Sequence, residues 1–269
     1  MNVLARPPAV AGLFYPADRA ELRAAVDGYL ARAGAPGRVG QRVRAPKAIV
    51  VPHAGYIYSA PVAAYAYAAV TSRREQLRRV VLLGPAHHAR VRSMATTSAD
   101  VLVSPLGAVP VDAAGRDALL ALGTVEIDDF AHAPEHSLEV QLPFLQRILD
   151  TDFTVLPVLV GGASPEVVAD ALDRVWGGDE TLVVVSTDLS HYLDHASASA
   201  LDQRTADAIT RREWRAVRAT DACGAAPLRG LLIAAERHGL TVEQLALCNS
   251  GDTAGSRDRV VGYGAFALS

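Results

Sequence analysis

Ala48-Ile49-Val50-Val51-Pro52-His53-Ala54-Gly55-Tyr56 is an apolar run of strand length that stops abruptly at a histidine followed by small residues. Two later segments share this grammar. Val80-Val81-Leu82-Leu83 runs into Gly84-Pro85-Ala86-His87-His88, and Leu182-Val183-Val184-Val185 runs into Ser186-Thr187-Asp188-Leu189-Ser190-His191. In a parallel α/β sheet, ligands bind outside the carboxyl ends of the strands. Three histidine-bearing strand ends are therefore expected to converge on one crevice. Any one of them alone reads more simply as a hydrogen-bonded loop residue.

The flanking segments supply the helices such a sheet needs. Asp18 with Glu21 three residues on has the form of a capping box, opening a helix through Leu22, Val26 and Leu30 to Gly34. Residues 34–47 are rich in Gly, Pro and Arg and are read as a loop. An Ala-rich, Tyr-bearing helix is expected from Ala60 to about Val70, completing a strand-helix-strand unit. Met94 to Val111 is β-like and broken by Pro105, Gly107 and Pro110, as in a hairpin or sheet edge, and a helix follows from Ala113 to Leu122. Residues 128–137 are dense in acids and histidines, a pattern that solvated loops share with sites. Leu138, Leu142, Leu145 and Leu149 then sit at helical spacing. Phe153 to Gly161 is a further buried-type strand, and Ser164-Pro165-Glu166 opens a helix with Ser as N-cap. Helices are read near 197–212 and 225–238, then a polar turn over 247–255 and a final strand from Val260 to Leu268. With no solenoid-length repeat, the expectation is one domain over residues 1–269, a three-layer αβα sandwich on a mostly parallel central sheet.

Half of the 269 residues are apolar and a fifth are charged, which is ordinary for a globular protein able to bury its own core. The formal net charge is −3, and no basic run alternates with aromatics, so neither nucleic acid nor an anionic membrane is expected as a partner. The apolar runs are too short to span a bilayer, and the N-terminus lacks the basic-then-apolar order of a secretory signal. A cytoplasmic location is expected. Cys223 and Cys248 are the two cysteines, without Cys-x-x-Cys spacing, which excludes a disulfide framework or a thiolate cage.

Neutral imidazole suits zinc, copper, iron and nickel, and a rigid strand end holds it in place. His53 and His87 are the first choices for a ligand pair. His88, adjacent to His87, is expected to point elsewhere. The acid could be Asp252, carried by the turn Asn249-Ser250-Gly251-Asp252. Asp188 and His191, three apart after a strand, suit either a carboxylate orienting an imidazole or a pair that passes protons to a substrate. Tyr56, His88, His136 and Cys248 complete the candidates for ligand contact. Cys223, ahead of a helical apolar run, is read as a small core hydrophobe. Nucleophile-elbow, phosphate-loop and dinucleotide-binding patterns are all missing.

The chain resembles the Memo family, and within it the bacterial branch known as AmmeMemoRadiSam system protein B. The resemblance rests on RPPAVAGLFYP near the N-terminus, PHAGYIYS at His53, LLGPAHH at His87, EHSLEVQLPFL from Glu135, PVLVG near Val160, STDLSHY at His191, NSGDTAG and VVGYGAFAL. It implies a fold like that of the class III extradiol dioxygenases, the LigB-like sandwich, with a metal pocket at the strand ends. His53 and His87 match the two ligand histidines of the family. Asp188 and His191 match pocket positions, and in the dioxygenase relatives the equivalent of His191 is an acid–base catalyst. Eukaryotic Memo proteins supply a cysteine as third ligand. Counting back from Tyr263 places that position at Thr253, which leaves Asp252 as the nearest substitute.

The resemblance implies a metal-dependent redox or dioxygenase-like enzyme, with iron as the first choice of metal and copper or zinc as alternatives. It also implies partnership with AMMECR-like and radical-SAM proteins. A non-catalytic protein binding a peptide or small molecule in the same crevice is the alternative from another class, and metal-dependent hydrolysis is a third.

Overall fold

The computed structural model describes residues 3–34, 45–149 and 152–269; residues 35–44, most of the expected loop, lie outside them. In chain order the first elements are β1 (Ala5–Arg6), α1 (Arg19–Ala33), β2 (Ala48–Val51), α2 (Tyr56–Val70) and β3 (Arg79–Pro85). There follow β4 (Met94–Thr96), β5 (Val101–Ser104), β6 (Gly107–Pro110), α3 (Ala113–Leu120), β7 (Val125–Ile127), α4 (Asp129–His132) and α5 (Leu142–Ile148). The remainder comprises β8 (Thr154–Val160), α6 (Pro165–Arg174), β9 (Thr181–Ser186), β10 (His191–Leu193), α7 (His195–Thr210), α8 (Ala225–Arg237), β11 (Val242–Asn249) and β12 (Val260–Leu268).

The three histidine-bearing strands lie at the centre of the main sheet in the order β2-β9-β3, with β8 next to β3, all parallel. β12 pairs antiparallel with β2 on one side, and β4 pairs antiparallel with β8 on the other. The sheet is therefore mixed: the expectation of parallel strands holds for its four central strands and for the outer β4–β7 pair, while β10, β11 and β12 add antiparallel pairings. A separate small sheet joins β1 to the β5–β6 hairpin, so the turn-punctuated stretch 94–111 divides between β4 of the main sheet and this hairpin.

Alternation along the central strands builds the layers, because successive side chains point to opposite faces. Ile49, Val51, Val80, Leu82, Leu182 and Val184 belong to one apolar cluster with Leu22 and Val26 of α1, much of α2, and Leu142 and Leu145 of α5. Ala48, Val50, Val81, Leu83, Val183 and Val185 belong to a second with residues of α6, α7 and α8. Helices thus cover both faces, and each fully buried Val or Leu contributes about 1.5–3 kcal/mol.

Local signals set most of the boundaries. Asp18 accepts from the N–H groups of Ala20 and Glu21, Asp112 caps α3, and Ser164 caps α6. The helix read from Leu138 begins later, at Leu142, after a single turn over Glu139–Gln141. Sequence reading missed β11, whose Glu243-Gln244-Leu245 has no clear alternation; it is a strand because β12 offers it a partner edge. Among the described residues no helix is long and apolar enough to cross a membrane.

The N-terminal motif is pinned by a buried charge. Glu139, 1% exposed, accepts from the Arg6 guanidinium, the N–H groups of Ala9 and Val10, and the Tyr15 hydroxyl at 2.6 Å. That network holds Leu13 and Phe14 at the mouth of the cavity described next.

Candidate metal centre

The carboxyl ends of β2, β9 and β3 open into a cavity of about 860 Å³. His53 follows β2, and its backbone N–H donates to Asp188 Oδ1 at 2.7 Å, tying it to the end of β9. His87 follows β3. His136 arrives from a different direction, on the loop between α4 and α5. The three imidazoles cluster, with ring centroids 5.2 Å apart for His53 and His87, 5.5 Å for His53 and His136, and 4.7 Å for His87 and His136. One donor nitrogen from each can be chosen so that all lie within 4.8 Å of one another. Three such donors on one face, with open cavity opposite, fit a divalent ion with free coordination positions.

Glu135 organises two of the three. Its Oε1 accepts from His87 Nδ1 at 2.9 Å and from the N–H groups of His136 and Ser137, while Oε2 accepts from His87 N at 2.5 Å. Burial would raise its pKa, but these hydrogen bonds, led by His87, win and hold the carboxyl well below the usual range. An ionised carboxylate only accepts, so His87 carries its proton on Nδ1 and turns Nε2 outward. A carboxylate behind a ligating histidine orients the ring and raises its basicity. Gly84 makes room for this loop: a Cβ there would stand 2.8 Å from both Leu138 Cδ2 and Ser137 Oγ.

Burial disfavours the charged form of two of the cluster histidines. Burial pushes His53 well below its ordinary pKa and His136 down to about 4. Asp188, 4% exposed, is pushed up to about 7 by burial, against the N–H groups of His53 and Ala54 that favour its charged form. It lines the cavity together with His191, His88, Tyr58 and Tyr263. Asp188 and His191 therefore lie where a bound molecule would meet them.

Asp252 is elsewhere. Its Oδ1 is 2.7 Å from His195 Nε2, and its Oδ2 accepts from Asn249 N in a reciprocal cap of the turn Ser250–Asp252. The acid that was to complete the ligand set is thus engaged outside the cavity, and the third member of the cluster is His136. Nor does the cavity reach Tyr56 or Cys248. Tyr56 is buried with its hydroxyl donating to Val140 O at 2.7 Å, and Cys248 pairs with Tyr263 across β11 and β12 and packs on the core.

Two contributors escaped sequence reading. Glu135 lay in a stretch that resembled a solvated loop; its signal was the acid directly preceding His136. Cys223, read as a core residue, lines the cavity with Sγ 3.3 Å from His53 Nε2. Burial pushes this thiol up to about 12, so it is a neutral S–H. Only the packing of α8 against β9 brings it there.

Residues 6–267 match the family model described as Memo-like protein. The chain belongs to the Memo family. Curated relatives named MEMO1 family protein agree over nearly the full length of both chains. The one from Aeropyrum pernix is 37% identical over 98% of this chain and 99% of its own. Those from Aquifex aeolicus and Nitrosopumilus maritimus are 36% and 33% identical, covering 96% and 97% of this chain and 97% and 98% of theirs. The segments carrying His53, His87, His136 and His191 all fall within the range matched by the Memo model.

Proposed function

We propose that this Memo-family chain is a metal-dependent redox enzyme, dioxygenase-like in its site, with His53, His87 and His136 holding an iron ion in preference to copper or zinc. The carrying observation is the convergence of their donor atoms within 4.8 Å at the foot of a large open cavity. Such an ion supplies Lewis-acid and one-electron chemistry when bound. The chain supplies the rest. Glu135 aims His87, Asp188 titrates near neutral pH and suits proton exchange with a substrate, and His191 stands in the same cavity as a second proton carrier. A fold like that of the LigB dioxygenases and a cytoplasmic location belong to this reading, as do AMMECR-like and radical-SAM partners.

Metal analysis of the purified protein tests it, alongside His53→Ala, His87→Ala and His136→Ala. Loss of metal in each variant is expected, and unchanged content in all three would overturn the assignment. Dioxygen uptake over the iron-loaded protein tests the redox step.

Two observations favour other uses of the site. Three imidazoles without a carboxylate form the donor set of hydrolytic zinc centres, which supports hydrolysis with Asp188 accepting the proton of water. Leu13 and Tyr192, 81% and 64% exposed, flank the cavity mouth, which supports capture of a peptide without chemistry. Turnover of an ester or amide by the zinc-loaded protein would select the first. Peptide binding that persists in the metal-free protein, with no turnover, would select the second.

A further inference from the structure

His53 is backed by a line of polar side chains that the site chemistry leaves unused. Tyr67 on α2 donates its hydroxyl hydrogen to Gln141 Oε1 at 2.8 Å. Gln141 Nε2 donates to Pro52 O at 3.0 Å and to Ser186 Oγ at 2.9 Å. Ser186 Oγ donates to Ser137 O at 2.6 Å and meets His53 Nδ1 at 2.8 Å. Tyr67, Gln141 and Ser186 are each at most 1% exposed, and burying polar groups is unfavourable unless each is satisfied. Here every one is.

Counting hydrogens leaves one arrangement. The Pro52 carbonyl can only accept, so the amide nitrogen of Gln141 must face it; the flipped amide would set oxygen against oxygen. Both amide hydrogens are then committed, one to Pro52 and one to Ser186. The Ser137 carbonyl also only accepts, so it takes the single hydroxyl hydrogen of Ser186. Ser186 has none left for His53, and Nδ1 must donate to it. In a neutral imidazole the other nitrogen is then bare. Nε2 points to the cavity side, where the Cys223 thiol 3.3 Å away can donate its weak S–H.

We propose that Ser186 and Gln141 are positioning residues that lock His53 in its Nδ1–H tautomer and so present an unprotonated Nε2 to the cavity. The geometry stands by itself; its purpose, a lone pair held ready for a metal ion, rests on the reading given above. Two different acceptors perform one task in this site. A charged carboxylate, Glu135, fixes His87, and a neutral relay fixes the more deeply buried His53. A second carboxylate behind a fully buried ring would carry its own desolvation penalty, and the hydroxyl–amide pair avoids it.

Nitrogen-15 NMR of the metal-free, histidine-labelled full chain reads the tautomer directly. The wild type is expected to show His53 protonated on Nδ1 and bare on Nε2. In Ser186→Ala the proton is no longer confined to Nδ1, and affinity for zinc ion alone falls about 10–100-fold with the backbone spectrum unchanged. Gln141→Met, of matched length, should move both readouts in the same direction by less. A proton found on His53 Nε2 in the wild type overturns the inference, as does a folded variant with unaltered tautomer and zinc affinity. If Ser186→Ala fails to fold, the wild-type spectrum and Gln141→Met decide. Should no form bind zinc, the metal reading fails while the tautomer spectra still judge the lock.

Discussion

Glu135 Oε1 lies 2.9 Å from His87 Nδ1, and the same carboxylate accepts from the backbone N–H groups of His87, His136 and Ser137. One side chain therefore fixes two members of the histidine cluster, one through its ring and both through their backbones. Glu135→Gln removes the charge and exchanges an acceptor for a donor. Metal affinity should fall about 10–100-fold. Isothermal titration with zinc ion checks this, and an affinity equal to wild type would show that the carboxylate does not orient the cluster.

His136 and Asp252 can be separated by metal content. His136→Ala should lower the amount of metal carried by the purified protein, whereas Asp252→Ala should leave it unchanged. The second variant loses the Asp252 half of the reciprocal cap and the contact with His195, while Asn249 still caps the turn, and should be destabilised by about 1 kcal/mol. Elemental analysis with thermal melts reads both quantities. The reverse pattern, metal lost with Asp252 and kept without His136, would restore the carboxylate ligand.

The Arg6–Glu139 pair holds the N-terminal motif against the turn before α5 with almost no exposure of either side chain. Removing one partner of a buried pair strands the other charge, at a cost of about 3–5 kcal/mol. Arg6→Met should therefore lower the denaturation midpoint strongly. It should also loosen Leu13 and Phe14 at the cavity mouth, detectable as faster amide exchange over residues 9–15. A loss confined to global stability, with exchange there unchanged, would separate the pair from the site.

Acid should destabilise the metal-free protein through its buried histidines. Burial lowers His132 and His136 from 6.5 to about 4, so as pH falls the unfolded chain takes up protons first. Their contribution is fully present above about 6.5 and is lost as pH falls toward 4. Asp188 acts in the opposite sense. Raised to about 7, it contributes stability that is present below the ordinary carboxylate pKa and is lost as pH rises through 7. Asp188→Asn removes this opposing slope, so its loss of stability from pH 7 to pH 5 should be steeper than that of wild type in denaturant titrations. A shallower loss would contradict the raised pKa.

Much of the architecture was legible because its causes are local. Asp18 and Ser164 announced helix starts by their own side-chain chemistry, and the runs at Ile49, Val81 and Val183 announced strands buried on both faces. That His53, His87 and His191 share one cavity was legible because each follows such a strand. β11 was not, because its pairing depends on β12 rather than on its own periodicity. Asp252 is a candidate ligand on local grounds, an acid carried by the turn Asn249-Ser250-Gly251-Asp252 ahead of the last strand, but its partner is His195, which lies far from it along the chain.

By itself, the sequence determined the α/β class, the parallel centre of the sheet, and the two strand-end histidines His53 and His87, since strand ends and caps follow from residue type and spacing. Tertiary structure alone decided that His136 is the third member of the cluster, that Glu135 and Ser186 stand behind the rings, and that Cys223 faces His53. Each of these contacts joins segments separated by about 50 to 170 positions. Which side chains meet across such distances depends on how the helices and loops pack over the sheet, and no local pattern encodes that.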